Sequence, residues 1–272
     1  MEFSDLENAF NRSMHFAFCR SKILFTFPFL LLCAAIFAFC RAICLHADPW
    51  IALSMLFAPF LLSSGVFLSL GILLMRMYYH DVKRLPYTIR KMLTLSFDVL
   101  VASAYFSVPL FLGYVFLSMV LGIFMALRLL PYLGAEMGAL FAFGPFFLIL
   151  SSLLLCLGNF IFLFWGTPIF ALHTGKQKER GLLVLRAFSQ KTFRLLAFFF
   201  IGSLPIFLVG LLLGGAAQLT SLSYLRDLDG IWLVVSWFLI SLPVAWILSP
   251  FVIFFFHFAA ESHQLITRQT EL

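Results

Sequence analysis

The chain reads as an all-α membrane protein, a polytopic bundle of six transmembrane helices with amphipathic helices at the interface, forming one integral membrane domain over residues 1–272. Three observations predict this. Apolar residues make up 63% of the chain and charged residues 11%, against roughly 45–50% and about 25% in soluble domains. Apolar runs of bilayer length recur, and Lys and Arg gather in alternate connectors. A water-soluble core could hide part of the apolar excess, but not repeated runs longer than about 18–20 residues.

The runs fall at about 23–45, 50–75, 101–127, 138–166, 195–216 and 231–256. The first ends in Cys40-Arg41-Ala42-Ile43-Cys44-Leu45-His46 with no small-x-small cleavage pattern, so it reads as an uncleaved span. Orientation follows from the basic residues. Arg12, Arg20 and Lys22, then Arg76, Lys83, Arg84, Arg90 and Lys91, then Lys176, Lys178, Arg180, Arg186, Lys191 and Arg194, and finally Arg268 fall on one side. Only Arg41, Arg128 and Arg226 fall on the other. The 15-to-3 split predicts that, with six spans, the N-terminus, both long basic connectors and the C-terminal tail face the cytoplasm. The same positions explain the net charge of +6 by topology and anionic headgroups rather than by nucleic acid. The 37 Phe residues are expected mainly as lipid-facing bulk.

Segments before the first, third and fifth spans have the pattern of helices lying in the cytoplasmic interface. In the first, Phe3, Leu6, Phe10 and Met14 oppose Asp5, Asn8, Arg12 and His15, and Ser4-Asp5-Leu6-Glu7 fits a capping box. The second opens at Pro86 and carries the polar stripe Lys91, Thr94 and Asp98. In the third, Leu185, Phe188 and Leu195 oppose Arg186, Gln190 and Arg194.

Each such segment is followed by a span with a proline near its start (Pro28, Pro109, Pro205) and a span with a Pro-Phe pair (Pro59-Phe60, Pro145-Phe146, Pro250-Phe251). This order predicts three parallel helical hairpins, over residues 1–82, 83–176 and 177–272. The paired prolines lie 31, 36 and 45 residues apart, so a chance match in a Leu- and Phe-rich chain stays open. Proline within a span frees a backbone carbonyl, and six such sites predict kinked helices.

The stretch Arg186-Ala187-Phe188-Ser189-Gln190-Lys191-Thr192-Phe193-Arg194-Leu195-Leu196, with Gly166-Thr167-Pro168-Ile169 closing the fourth span, resembles a known group. That group is the six-helix membrane domain found with glycerophosphoryl diester phosphodiesterases and in stand-alone bacterial proteins. The resemblance covers nearly the whole chain in layout and rests on degenerate residues. It implies a membrane scaffold, because the group's phosphodiesterase chemistry belongs to a separate soluble domain for which this chain has no residues left over.

No His-Glu-x-x-His, Gly-x-Ser-x-Gly or P-loop pattern occurs, and Gly210, Gly214 and Gly215 lie in an apolar run where they would permit close helix packing. The Pro-x-acidic-x-x-basic motif of mitochondrial carriers is missing after Pro28, Pro109 and Pro205. His80 with Asp81, His173, and His257 with Glu261 and His263 follow spans two, four and six, so they could converge as a cytoplasmic metal cluster, but solvated interfacial histidines are the expectation. Cys40 and Cys44 sit one helical turn apart near the outer end of the first span; the five cysteines form no disulfide framework.

Charges and amides at membrane depth are functional candidates because each is costly unless paired. Asp98 and Asn159 are those candidates here, as interhelical hydrogen-bonding groups or as part of a polar path. Arg12, Arg90, Lys91, Arg186, Lys191 and Arg194 are candidate contacts for anionic headgroups or a membrane-protein partner. The expectation is a non-enzymatic multi-pass protein that contacts lipids or partners, with no cofactor, metal or nucleic acid. The alternative is a transporter or lipid-translocating permease with a path past Asp98 and Asn159.

Overall fold

The structure, a computed structural model, describes residues 3–44, 55–86, 88, 92, 94, 101, 105–128, 138–172, 177–219 and 231–268. Among them are seven helices and no strand: α1 Phe3–Ala17, α2 Arg20–Ile43, α3 Ala58–Val82, α4 Ser107–Arg128, α5 Gly138–Leu172, α6 Gln177–Leu219 and α7 Ile231–Arg268. All but α1 are long and apolar enough to cross a bilayer, which makes this a six-span membrane helix bundle.

The principal helix contacts have a cyclic order. Helices α3, α5 and α7 touch one another and form the inner set. Each outer helix lies between its own hairpin partner and the inner helix of another hairpin: α2 between α3 and α7, α4 between α5 and α3, α6 between α7 and α5. Gly71 of α3 marks where the inner helices meet, since a Cβ there would fall within 2.7 Å of Phe256 on α7 and Thr167 on α5. Consistent with this layout, 78% of the most apolar stretch of α3 is buried but only 11% of that of α4.

The core between these helices is largely aromatic. Phe164 packs on Phe199, Phe255 and Phe258, with Phe254 stacked on Phe258 at 5.7 Å. Phenylalanine thus serves both surfaces: Phe164, Phe254 and Phe258 are fully buried, while Phe116, Phe200 and Phe207 face outward. The expectation of Phe as lipid-facing bulk covers only the second group. Buried hydroxyls return to their own helices, as Ser63 donates to the Pro59 carbonyl, Ser152 to Leu148 and Ser249 to Ala245.

Four elements differ from the sequence reading. The second span lies eight residues later than expected, at Ala58–Val82, with Pro59 in its first turn, where a missing N–H costs nothing. It carries His80 and Asp81 to its end because partners there satisfy them, as shown below. Pro109 likewise sits in the first turn of α4, so of the six predicted kink sites two fall where proline is tolerated, while Pro28, Pro205 and Pro250 are inside helices. The segment preceding the fifth span is no separate in-plane helix: its backbone continues into the span as one helix of 43 residues, about 65 Å long against a hydrocarbon core of about 30 Å. No proline interrupts it before Pro205. Finally, Gly210, Gly214 and Gly215 have nothing within 4 Å of an added Cβ among the described residues, so no helix packs closely on them there, whereas Gly202 is tightly packed against Phe164 and Phe258.

Helix α1 begins at Phe3, so Ser4 lies in the first turn instead of capping it. Its apolar face meets protein. Ala9, Ser13 and Ala17, four residues apart, form a buried strip of small side chains that lets α1 approach α7 closely, flanked by half-buried Leu6, Phe10 and Met14. Phe10 sits edge-on to Phe254 at 5.0 Å. At the same end of the bundle, α3 closes through a left-handed residue, Arg84 at φ 53°, with Leu85 N–H donating to the His80 carbonyl at 2.9 Å and Arg84 N–H to that of Asp81 at 3.1 Å. This is the Schellman arrangement, and Pro86 follows it.

Candidate functional site

At the α1 end of the bundle, α1, α2, α3 and α7 bring together a set of polar side chains that hydropathy alone places at three separate span ends and on the segment before the first span. Lys22, in the first turn of α2, is buried to 1% exposure. Its Nζ lies 2.7 Å from Asp81 Oδ2 near the end of α3, an ion-pair distance without hydrogen-bond alignment. The ammonium is also 5.2 Å from the Phe16 ring centre and 5.7 Å from that of Tyr78, so aromatic faces take up the rest of its coordination.

One turn before Asp81, Tyr78 donates its hydroxyl to Glu261 Oε1 at 2.5 Å. Glu261, itself buried, also receives Arg12 Nη1 from α1 at 3.4 Å. His257 lies one turn before Glu261 on α7 and stacks on the Tyr78 ring at 4.5 Å between centroids. It is fully buried, and among the described residues neither ring nitrogen meets a partner in full hydrogen-bond geometry. The set therefore links a half-exposed base, Arg12, through Glu261 and Tyr78 to a buried imidazole, with a second charged pair, Lys22–Asp81, alongside.

The chemistry of such a set is constrained. Two basic and two acidic groups cancel, and each buried charge has an opposite charge within 4 Å, which is what makes burial tolerable. Orphaned imidazole nitrogens are rare in buried positions and set His257 apart, since the other unbonded member, Lys22, has Asp81 at ion-pair distance. Among the described residues no three His, Cys, Asp or Glu side chains are placed to hold a metal ion.

The predicted site residues fare unevenly. Arg12 is held by Glu261, so it is tied to protein as well as facing outward. Asn159 is buried in α5 at 5% exposure with Oδ1 unpartnered. The recess between Phe57, Tyr114 and Ser152 and the one between Phe37 and Met55 are mostly apolar, and Asn159 lines neither. Asp98, Arg90, Lys91 and His173 lie outside the described residues, as do the side chains of Arg186 and Lys191, whose backbone is helical in α6. Arg194 is exposed where α6 enters its apolar stretch. Expected among solvated interfacial histidines, His257 is instead the most enclosed member of the site. His80 bonds the Arg76 carbonyl through Nδ1 at 2.8 Å.

The sequence reading brings Asp81, His257 and Glu261 to the same membrane face but does not include Lys22 or Tyr78 with them. One signal was available: His257 and Glu261 at spacing i, i+4, and Tyr78 and Asp81 at i, i+3, each align on one helical face directly after an apolar run.

Comparison with protein-family models, curated proteins and solved structures gives no match.

Proposed function

We propose that this six-span protein is a non-enzymatic scaffold of the bacterial inner membrane, with both termini in the cytoplasm, that works by contact with anionic headgroups or a membrane partner. The observation that carries this reading is how α1 is held. Its small-residue strip lies on α7 and Arg12 reaches Glu261, while Asp5, Glu7, Asn8 and Asn11 face outward, so α1 forms a fixed platform instead of a loose anchor. The excess of Lys and Arg on the same side, 15 of 18, supports the cytoplasmic assignment. The resemblance to the membrane domain associated with glycerophosphoryl diester phosphodiesterases points the same way, and membership of that group is part of the proposal.

Each basic residue near an anionic surface contributes about 1 kcal/mol. Purified protein in nanodiscs is therefore expected to be more heat-stable with phosphatidylglycerol than with phosphatidylcholine. The double substitution Arg186→Glu and Arg194→Glu is expected to remove that difference without blocking insertion. Equal stability of the unsubstituted protein in both lipids would count against headgroup contact.

A second reading, a transporter or lipid-translocating permease, has one observation in its favour: Asn159 keeps an unpartnered buried oxygen near the middle of α5. It predicts that flux into reconstituted vesicles falls on Asn159→Leu; flux indifferent to that change would remove the support.

A further inference from the structure

At the bundle end opposite α1, a recess is walled by Phe37, Cys40, Arg41 and Cys44 of α2 and its C-terminal boundary and by Met55, Leu56 and Pro59 at the start of α3. Two cysteines and a methionine line the same space beside Arg41, and among the described residues no histidine, aspartate or glutamate does.

We propose that this recess is a binding site for a soft monovalent metal ion, Cu(I), held by the sulfurs of Cys40, Cys44 and Met55. Three physical points support it. Residues four apart on a helix have Cβ atoms about 5–6 Å from each other, close enough for both thiolates to turn on to one ion at metal–sulfur lengths of about 2.3 Å. Thiolate and thioether donors select Cu(I), whereas Zn(II) asks for four ligands and Ca(II) or Mg(II) for oxygen, which the described lining does not offer. Binding releases one proton from each thiol and changes no oxidation state, so a dithiolate with Cu(I) carries one net negative charge. Arg41 lies in the same wall with its guanidinium 6.0 Å from the Trp237 ring, and its charge offsets that of the complex. Cys40 is almost fully buried and Cys44 half-buried, which favours a low-coordinate, water-poor site over a hydrated one. Neither sulfur is consumed by a disulfide.

The test uses the full chain with Cys19, Cys33 and Cys156 replaced by Ala, in nanodiscs, reduced and anaerobic, titrated with Cu(I) against a chromophoric chelator. One Cu(I) retained per chain is expected, with retention lost in Cys40→Ser/Cys44→Ser and affinity lowered about tenfold or more in Met55→Leu. Zn(II) offered in the same way is expected to stay with the chelator. In the unsubstituted protein, Cu(I) should protect Cys44 from maleimide, which reports on the site without any change at the ligands. No retention against the chelator, equal retention by the double-Ser variant, or undiminished labelling of Cys44 would each overturn the proposal.

Discussion

Lys22 and Asp81 show how unequal the two halves of one ion pair can be. Lys22 is 1% exposed and Asp81 22%, so the carboxylate can find water without its partner and the ammonium cannot. Removing one member of a buried pair costs about 3–5 kcal/mol when the other is left uncompensated. Asp81→Asn is therefore expected to lower stability in detergent by an amount near the bottom of that range, about 3 kcal/mol. Lys22→Met, which keeps an unbranched chain against Phe16 and Tyr78, should cost less than about 1.5 kcal/mol. Unfolding curves of the two variants decide the matter; equal losses would mean that Lys22 is not the buried partner. Little of this was legible in sequence. Hydropathy places Lys22, Asp81 and His257 at span ends, where solvated or headgroup-facing side chains are the usual outcome. Only the pairing of positions 22 with 81 and 78 with 261 turns them inward, and such pairing leaves no mark on local composition.

Among the helices, the sequence is a good guide to existence and a poor one to boundaries. Six spans follow directly from run length, because a bilayer demands about 20 apolar residues for each crossing. The second span moved to Ala58–Val82 because its polar end is paired within the bundle, which a hydropathy window counts as an exit from the membrane. The helix of Gln177–Leu219 absorbed the amphipathic segment before it, since that segment contains good helix formers and no break. Glycine roles were also reversed. A small-residue pattern such as Gly210, Gly214 and Gly215 suggests packing, but contact depends on which face the fold turns inward. The glycines that matter are Gly71 and Gly202. Gly71→Ala must displace Phe256 and Thr167, both buried, and is expected to cost about 1–3 kcal/mol as an overpacked core. Gly210→Ala, with open space around it, should be neutral or slightly stabilising through helix propensity. Thermal melts of both variants in one detergent would show the contrast, and a neutral Gly71→Ala would contradict the convergence of α3, α5 and α7.

For the molecule as a whole, an all-helical six-span bundle is legible from the sequence, and the cyclic contact order of its helices is not. That order rests on contacts between helices far apart in the chain, such as α2 with α7. It also gives the polar set its location, because α2 and α3 of the first hairpin meet α7 of the last where α1 covers them. Charged groups such as Arg12, Lys22, Asp81 and Glu261 are tolerated beside water and headgroups but not at the bilayer centre, which puts that end at a membrane surface. In the proposed orientation of the six-span chain, that surface is the cytoplasmic one. The most direct test is a pair of topology reporters fused after residues 84 and 176, compared with fusions after residues 48 and 225. The account predicts cytoplasmic reporter activity for the first pair and extracytoplasmic activity for the second. Residues 84 and 176 outside the cytoplasm, or all four fusions on one side, would contradict it.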